Sequence, residues 1–88
     1  MPRIRKEITI KSPQGLHARP AALFVQTASK YNSEVTLQKG KEKVNGKSIM
    51  GILTIGAQKG CKVILTADGD DAQQLMSELE QLLTREEL

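Results

Sequence analysis

Apolar and polar residues alternate in two separate stretches of the chain, from Ile4 to Ile10 and from Cys61 to Ala67. Every second residue is apolar in both stretches, with Lys6 as the one polar intrusion in the first. Successive side chains of a strand point to opposite faces of the sheet, so a period of two is typical of a strand with one buried face. The pattern therefore predicts a half-buried strand in each stretch.

A β-hairpin is predicted between these two strands. Val35 and Leu37 lie on one side of a third alternating stretch, and Gly40 follows within the polar segment QKGKEK. Glycine is favoured in tight hairpin turns because it adopts positive φ without steric cost. We therefore expect a turn at Gly40 and a short returning strand over residues 42–44.

The first of three predicted helices runs from Ala18 to about Ser29. Its apolar residues have the i, i+3, i+4, i+7 spacing of one helix face, and Pro20 is acceptable in a first turn. The residues on that face are Ala21, Phe24, Val25 and Ala28. This assignment places His17 at or next to the N-cap.

Two further helices are predicted in the second half of the chain. Ser48 is the expected N-cap of a short apolar helix that ends at Gly56. Asp70 is the expected N-cap of the last helix. The last helix carries an apolar stripe of Leu75, Met76, Leu79, Leu82 and Leu83.

The predicted element order is βαββαβα. Such an alternation with a hairpin in the middle favours a single sheet covered on one face by helices, which is an α+β open-faced sandwich. The chain of 88 residues is long enough for one small core and too short for two. Residues 1–88 are therefore predicted to form one domain.

Composition and charge limit the classes of partner. Hydrophobic residues make up 39% of the chain and charged residues 26%, which is ordinary for a soluble globular protein. The net charge of +3 would suit an anionic partner, but Phe24 and Tyr31 are the only aromatic residues, so stacking platforms for nucleic acid are lacking. The N-terminal segment MPRIRKEITI has no continuous apolar region, and we expect no signal peptide or membrane span.

Several catalytic and metal-binding motifs are excluded. The segment GKEKVNGKS has one residue too many between its outer glycines for a Walker A phosphate loop. A Ser-His-Asp hydrolase is disfavoured because no nucleophile elbow is present. With one histidine and one cysteine, the chain lacks the ligand set of a structural zinc site, and no metal is expected. Cys61 is expected to be a small buried hydrophobe in a reducing compartment.

His17 lies in the segment GLHARPAAL, at the start of the first predicted helix. A helix start presents unpaired backbone N–H groups and a partial positive charge, which together bind phosphate readily. The same charge disfavours imidazolium and so keeps a nitrogen lone pair available for nucleophilic attack. Arg19 adds a fixed positive charge and a donor fork for phosphate oxygens. We therefore expect His17, Ala18 and Arg19 to form a phosphate-binding helix N-terminus.

The stretches GLHARPAALFVQTASKY and VNGKSIMG closely resemble the HPr family, the histidine-containing phosphocarriers of the bacterial phosphoenolpyruvate-dependent sugar phosphotransferase system. The similarity spans nearly the whole chain. It implies a four-stranded antiparallel sheet with three helices on one face. It also implies that His17 accepts a phosphoryl group on Nδ1, as pros-phosphohistidine, from phosphorylated enzyme I and passes it to the EIIA components of sugar permeases, with Arg19 assisting. No cofactor is implied, because the phosphoryl group derives from phosphoenolpyruvate through enzyme I.

The resemblance also assigns a regulatory role to Ser48. This residue matches the serine that an HPr kinase/phosphorylase modifies in many relatives, chiefly those of the Gram-positive type. A phosphate would add about −1.5 to −2 charges at a helix N-terminus, where negative charge supports the helix. We therefore expect the phosphate to change the binding of partner proteins and not the fold. Ser48 can serve as a simple N-cap at the same time.

The helix after Ser48 contains more apolar residues than one short helix buries on one side. An exposed apolar patch usually marks a docking surface. By resemblance, this surface contacts enzyme I and EIIA. Its expected members are Ala22, Lys47, Ile49, Met50 and Leu53.

Two other functions stay open. A purely regulatory interaction protein would be modified at Ser48 and would bind a catabolite-control transcription factor without supplying sugar permeases. Some relatives carry glutamine in place of the histidine and act only in regulation, so His17 argues against that class. A small basic RNA-binding domain is the weaker alternative. We expect a monomer in the cytoplasm, with no nucleic acid bound and no insertion into a membrane.

Overall fold

The computed structural model describes residues 3–86, and its elements follow the predicted βαββαβα order. The strands are β1 (Arg3–Thr9), β2 (Glu34–Lys39), β3 (Glu42–Asn45) and β4 (Lys62–Asp68). The helices are α1 (Ala18–Ser29), α2 (Ile49–Ile55) and α3 (Ala72–Thr84). Within the described residues, no helix has both the length and the apolar character needed to cross a membrane.

The four strands form one antiparallel sheet in the order β1-β4-β2-β3. The strand β4 is the last in sequence but lies inside the sheet, between β1 and β2. Its alternation is regular because helices cover one face only: Val63, Leu65 and Ala67 are buried, and the residues between them are partly exposed. The predicted α+β open-faced sandwich is confirmed.

The polar intrusion at Lys6 is explained by an ion pair with α3. Lys6 is paired with the buried Leu65 across β1 and β4, and its Nζ lies 2.7 Å from Oε1 of Glu80. The Lys6 side chain keeps 50% of its surface exposed, so its charge stays in contact with solvent while it pairs with Glu80. Lysine is therefore compatible with the helix-covered face of β1.

The hydrophobic core lies between the sheet and the helices. Phe24 of α1 and Leu79 of α3 are fully buried, as is Leu65 of β4. The predicted apolar face of α1 is confirmed, although Val25 is only partly buried at its rim. Cys61 directly precedes β4 and is also partly buried against the core, so its predicted burial is right only in part.

Both ends of α2 are confirmed. The Ser48 side chain accepts a hydrogen bond from the Gly51 N–H, with 3.1 Å between nitrogen and oxygen, as an N-cap does. Gly56 ends the helix with φ of 60°, in the left-handed region that favours glycine. The turn at Gly40 is confirmed in the same way, with φ of 60°.

The N-cap of α3 is Asp71, so the prediction of Asp70 is wrong. The Asp71 carboxylate accepts hydrogen bonds from the N–H groups of Asn32 and Ser33, each at 2.9 Å, and from the Ser33 hydroxyl. These bonds join the start of α3 to the loop between α1 and β2. Asp70 is exposed. Asp71, and not Asp70, is held at the start of α3 by residues 32 and 33, which are distant in sequence. A local capping pattern does not reveal such a contact.

This cluster makes stability depend on pH. The hydrogen bond from the Ser33 side chain, followed by that from the Asn32 backbone, holds the pKa of Asp71 below its ordinary value of 3.8. A carboxyl group with a lowered folded-state pKa contributes stability above its unfolded-state pKa and loses that contribution as pH falls through the folded-state value. We expect the free energy of unfolding to fall below about pH 4 partly for this reason, and Asp71→Asn to weaken that dependence.

Urea unfolding between pH 7 and pH 2.5 measures the effect, with Asp70→Asn as the matched control because Asp70 is exposed. Asp70→Asn should keep the pH dependence of the unsubstituted protein. Identical pH profiles for the two variants would contradict the assignment of this role to Asp71.

Candidate functional site

The loop between β1 and α1 holds His17 at the surface through the two residues before it. Leu16 is 1% exposed, and its N–H donates to the Ala57 carbonyl at 2.8 Å. Gly15 has φ of 62°, and a Cβ at this position would lie 2.7 Å from the same carbonyl oxygen. Glycine is therefore needed for the loop to approach the segment after α2, and the anchored Leu16 leaves the next residue, His17, exposed.

The same loop is fastened to the end of α3. The N–H groups of Lys11 and Ser12 both donate to the Leu83 carbonyl, at 2.9 and 3.2 Å. The last carbonyls of a helix have no intrahelical partner, so the loop satisfies one of them. The carboxyl end of α3 consequently lies beside the start of α1.

His17 is the N-cap of α1, as predicted. Its backbone is extended, with φ of −113° and ψ of 161°, and its carbonyl accepts the first helical hydrogen bond from the Ala21 N–H at 3.1 Å. Its imidazole makes no capping hydrogen bond. The ring is neither buried in the core nor used to close the helix, so it is accessible to an incoming group.

Two backbone amides at the start of α1 can bind an anion. Of the hydrogen bonds formed within residues 3–86, none is donated by the N–H of Ala18 or Arg19. Pro20 has no N–H to offer. These two donors coincide with the partial positive charge of the helix N-terminus. An anionic group carried by the neighbouring imidazole would therefore lie beside two backbone donors, and the phosphate-binding role of residues 17–19 stays a prediction.

The backbone between His17 and Arg19 is strained. Ala18 has φ of 24°, and within the described part of the chain it is the one non-glycine residue with positive φ. Such a conformation costs an L residue about 1–3 kcal/mol and persists where surrounding contacts impose it. Here the buried residues Leu16 and Pro20 hold the chain on either side. Strain of this kind often occurs at functional sites.

Arg19 is exposed, and among residues 3–86 its guanidinium forms no ion pair. It is therefore available to an external anion. The three residues predicted for phosphate binding thus lie together at one helix end, with an exposed imidazole and with two amides and one guanidinium that have no partner within residues 3–86.

Four large apolar side chains are exposed on α1 and α2, which pack against each other. Met50 has 69% of its surface exposed, and the others have about two fifths. We call these residues the apolar patch: Leu23, Ile49, Met50 and Leu53. The sequence prediction missed Leu23, although its position outside the apolar face of α1 was a readable signal. Ala22, which was predicted, is partly buried.

Lys47 and Ser48 both make contacts within the fold. The Lys47 Nζ donates to the Tyr31 carbonyl at 2.7 Å, so this partly buried ammonium ties the segment before α2 to the segment after α1. A docking role for Lys47 stays a prediction. The Ser48 oxygen that caps α2 is also the atom that a kinase would modify.

The excluded motifs give no further site. The segment that resembles a Walker A loop instead forms the turn at Gly40 and the strand β3. Within residues 3–86, no three His, Cys, Asp or Glu side chains come together as metal ligands. The expectation that no metal or cofactor is required stays a prediction.

Comparison with known proteins identifies the family. The family described as "PTS HPr component phosphorylation site" matches residues 4–85. The HPr-like protein Crh of Halalkalibacterium halodurans is 40% identical over 83 residues, covering 94% of this chain and 99% of Crh. The crystal structure of the phosphocarrier protein HPr from Bacillus anthracis is similar with a TM-score of 0.90 at 34% identity, covering 92% of this chain and 96% of that one. The chain belongs to the HPr family, and an HPr-like role in the phosphotransferase system or its regulation follows.

A further relative bears on the oligomeric state. The crystal structure of Crh from Bacillus subtilis is similar with a TM-score of 0.76 at 40% identity, covering 97% of this chain and 98% of that one. It is described as an intertwined dimer with a swapped domain. A monomer is therefore not universal among similar proteins, and the monomeric state expected for this chain stays a prediction.

The role of Gly15 can be tested against Gly40. Both residues have φ close to 60°, so alanine at either position carries the same backbone penalty, about 1–2 kcal/mol. Only at Gly15 does a Cβ also collide with another segment, since nothing lies within 4 Å of a Cβ at Gly40. We expect Gly15→Ala to lower the free energy of unfolding more than Gly40→Ala, as measured by urea unfolding. An equal loss of unfolding free energy in the two variants would show that the close approach of Gly15 to Ala57 does not hold the loop.

Proposed function

We propose that this protein is a phosphocarrier that receives a phosphoryl group on His17 from phosphorylated enzyme I and donates it to EIIA components of sugar permeases. The observation that carries this proposal is the exposed imidazole at the N-cap of α1, next to the unused amides of Ala18 and Arg19. A reducing cytoplasm is the proposed compartment, in keeping with the single free Cys61.

The transfer step uses the neutral imidazole as nucleophile. The lone pair of Nδ1 attacks phosphorus, the N–P bond forms, and the bond between phosphorus and its donor atom on enzyme I breaks. The electron pair of that bond stays with the donor. The reverse chemistry occurs with the acceptor on EIIA, so His17 ends each cycle unmodified.

The helix start stabilises the charge that arrives. A transferring phosphoryl group spreads negative charge over its oxygens, and oriented N–H groups and guanidinium groups stabilise that charge without reorganising. The amides of Ala18 and Arg19 supply the first kind of donor, and the Arg19 side chain supplies the second. The site is open to solvent, which suits a carrier because the phosphoryl group must leave as readily as it arrives.

The apolar patch is the proposed docking surface for enzyme I and EIIA. Exposed apolar side chains on a small monomeric domain usually mark a contact with another protein. Leu23 lies on α1, the helix that begins at the His17 N-cap, so a partner covering the patch would reach the imidazole. Ala22 and Lys47 are proposed at the edge of the same surface.

Phosphoryl transfer to His17 is the first prediction of this proposal. Incubation with phosphoenolpyruvate and enzyme I should produce one acid-labile, base-stable phosphate per chain, and His17→Ala should remain unlabelled. Arg19→Gln should slow labelling by about tenfold or more, because one charge-assisted contact to phosphate is lost. Thermal unfolding should change little in Arg19→Gln, since Arg19 is exposed.

The controls separate chemistry from folding. Arg3→Gln removes an exposed arginine at the start of β1 and should label at the rate of the unsubstituted protein. Labelling of His17→Ala would show that His17 is not the phosphoryl acceptor. Equal slowing in Arg3→Gln and Arg19→Gln would show that Arg19 has no specific part in the transfer.

Docking through the apolar patch gives a separate prediction. Met50→Glu places a charge on the most exposed member of the patch and should raise the KM of enzyme I for this protein by about tenfold, at unchanged thermal stability. Gln74→Glu adds the same charge on the exposed side of α3 and should leave KM unchanged. A rise in KM that is equal for both variants would indicate a general charge effect and not docking at α2.

A purely regulatory role is the second candidate, favoured by the similarity to Crh of Bacillus subtilis, which is described as a catabolite repression HPr. In this role an HPr kinase/phosphorylase modifies Ser48, and the modified protein binds a catabolite-control transcription factor. The phosphate would lie at the N-terminus of α2, next to Ile49 and Met50 of the apolar patch. It would therefore change which partners the patch accepts, while the α2 N-terminus tolerates the negative charge.

Substitutions at Ser48 distinguish the carrier role from the purely regulatory role. If the carrier role holds, Ser48→Asp should slow phosphoryl transfer from enzyme I by about tenfold or more, because a negative charge is added beside the docking surface. Ser48→Ala should transfer at the normal rate, although it should lose about 1 kcal/mol of stability with the cap. Rapid kinase modification of a protein that enzyme I never labels would favour the regulatory role alone.

A further inference from the structure

A surface pocket of about 380 Å³ lies between the start of α1 and the carboxyl end of α3. One part of its lining is polar and basic, formed by Ser12, Gln14, Arg19 and Arg85. The rest of its lining is apolar, and we call these residues the apolar wall: Ala18, Pro20, Leu23 and Leu82. Its volume is within the range of sites that hold small molecules, about 300–1,000 Å³.

The two guanidinium groups have no counter-ion in the described part of the chain. Within residues 3–86, neither Arg19 nor Arg85 takes part in an ion pair. Two like charges lining one pocket repel each other, and an anion between them removes that repulsion and gains hydrogen bonds from both donor forks. Arg85 is in position to do this because it caps the end of α3, whose Leu83 carbonyl is bonded to the loop before α1.

This pocket adjoins the proposed phosphoryl acceptor and shares Ala18 and Arg19 with the helix start that would stabilise the phosphoryl group. His17 does not line it, and the transfer chemistry assigned to His17 gives Arg85 no task. Leu23 forms part of both the pocket wall and the apolar patch, so the pocket is continuous with the proposed docking surface.

We propose that the pocket binds a small phosphate monoester. Its dianionic phosphate lies between Arg19 and Arg85, the hydroxyl of Ser12 and the amide of Gln14 offer neutral donors, and the carbon skeleton rests on Leu23 and Leu82. Phosphate fits better than a single carboxylate, because a dianion offers more acceptor oxygens to two arginine forks and neutralises both charges. Inorganic phosphate shares this chemistry but makes no use of the apolar wall.

Amide chemical-shift titration of the ¹⁵N-labelled full chain tests the proposal at constant ionic strength. The probes are propyl phosphate and inorganic phosphate, and the variants are Arg85→Gln and the matched control Arg3→Gln. Propyl phosphate should bind several-fold more tightly than inorganic phosphate and should shift the amides of Leu23, Leu82 and Arg85. Arg85→Gln should weaken its binding by about tenfold, whereas Arg3→Gln should leave it unchanged.

His17→Ala should still bind propyl phosphate, which separates this pocket from the proposed phosphoryl acceptor. Equal affinity for the two probes, or equal weakening in Arg85→Gln and Arg3→Gln, would overturn the proposal. Shifts confined to Ala18 and Arg19 would overturn it as well, because they would locate the anion at the helix N-terminus alone. Tighter binding of propionate than of propyl phosphate would instead indicate a site for a carboxylate, such as an acidic side chain of a partner protein.

Discussion

The burial of Leu16 is the constraint on which the proposed site depends. Its N–H is bonded to Ala57, and Gly15 permits the close approach that this bond requires. With one residue fixed inward, the next must face outward, so His17 lies at the surface and begins α1. The strained φ of Ala18 then becomes the local cost of starting a helix directly after an anchored loop. The exposure of the His17 imidazole is thus a consequence of the packing of Leu16 and Gly15 against the segment after α2.

That arrangement balances two opposing needs of a carrier. A phosphoryl group bound by many buried donors would be held too tightly to be passed on, whereas an imidazole on an open surface would offer it no stabilisation. Two backbone amides and one guanidinium at an exposed helix end lie between these limits. The apolar patch on α1 and α2 can then supply partner affinity without adding contacts to the phosphoryl group itself. Binding and chemistry are therefore carried by neighbouring but separate residues.

Local patterns in the sequence predicted the elements well, because their causes are local. The α1 boundaries, the Ser48 cap and the turn at Gly40 follow from helical spacing, capping chemistry and the conformational freedom of glycine. The features that escaped prediction depend on contacts between distant segments, such as the inner position of β4, the Lys6–Glu80 pair and the selection of Asp71 by the loop before β2. In the site, His17, Arg19 and the unpaired amides of the helix start were predicted, but the strained φ of Ala18 and the anchoring of Leu16 to Ala57 required coordinates.

The central claim is that a phosphoryl group on His17 lies against the start of α1. Heteronuclear NMR of the protein phosphorylated by enzyme I and phosphoenolpyruvate tests it most directly, through the ring-nitrogen resonances of His17 and the amide resonances of Ala18 and Arg19. Phosphorus on Nδ1, together with downfield shifts of both amide protons, is the result that the account predicts. Phosphorus on Nε2, or on Nδ1 with both amides unmoved, would contradict it, because the helix N-terminus would then have no part in holding the phosphoryl group.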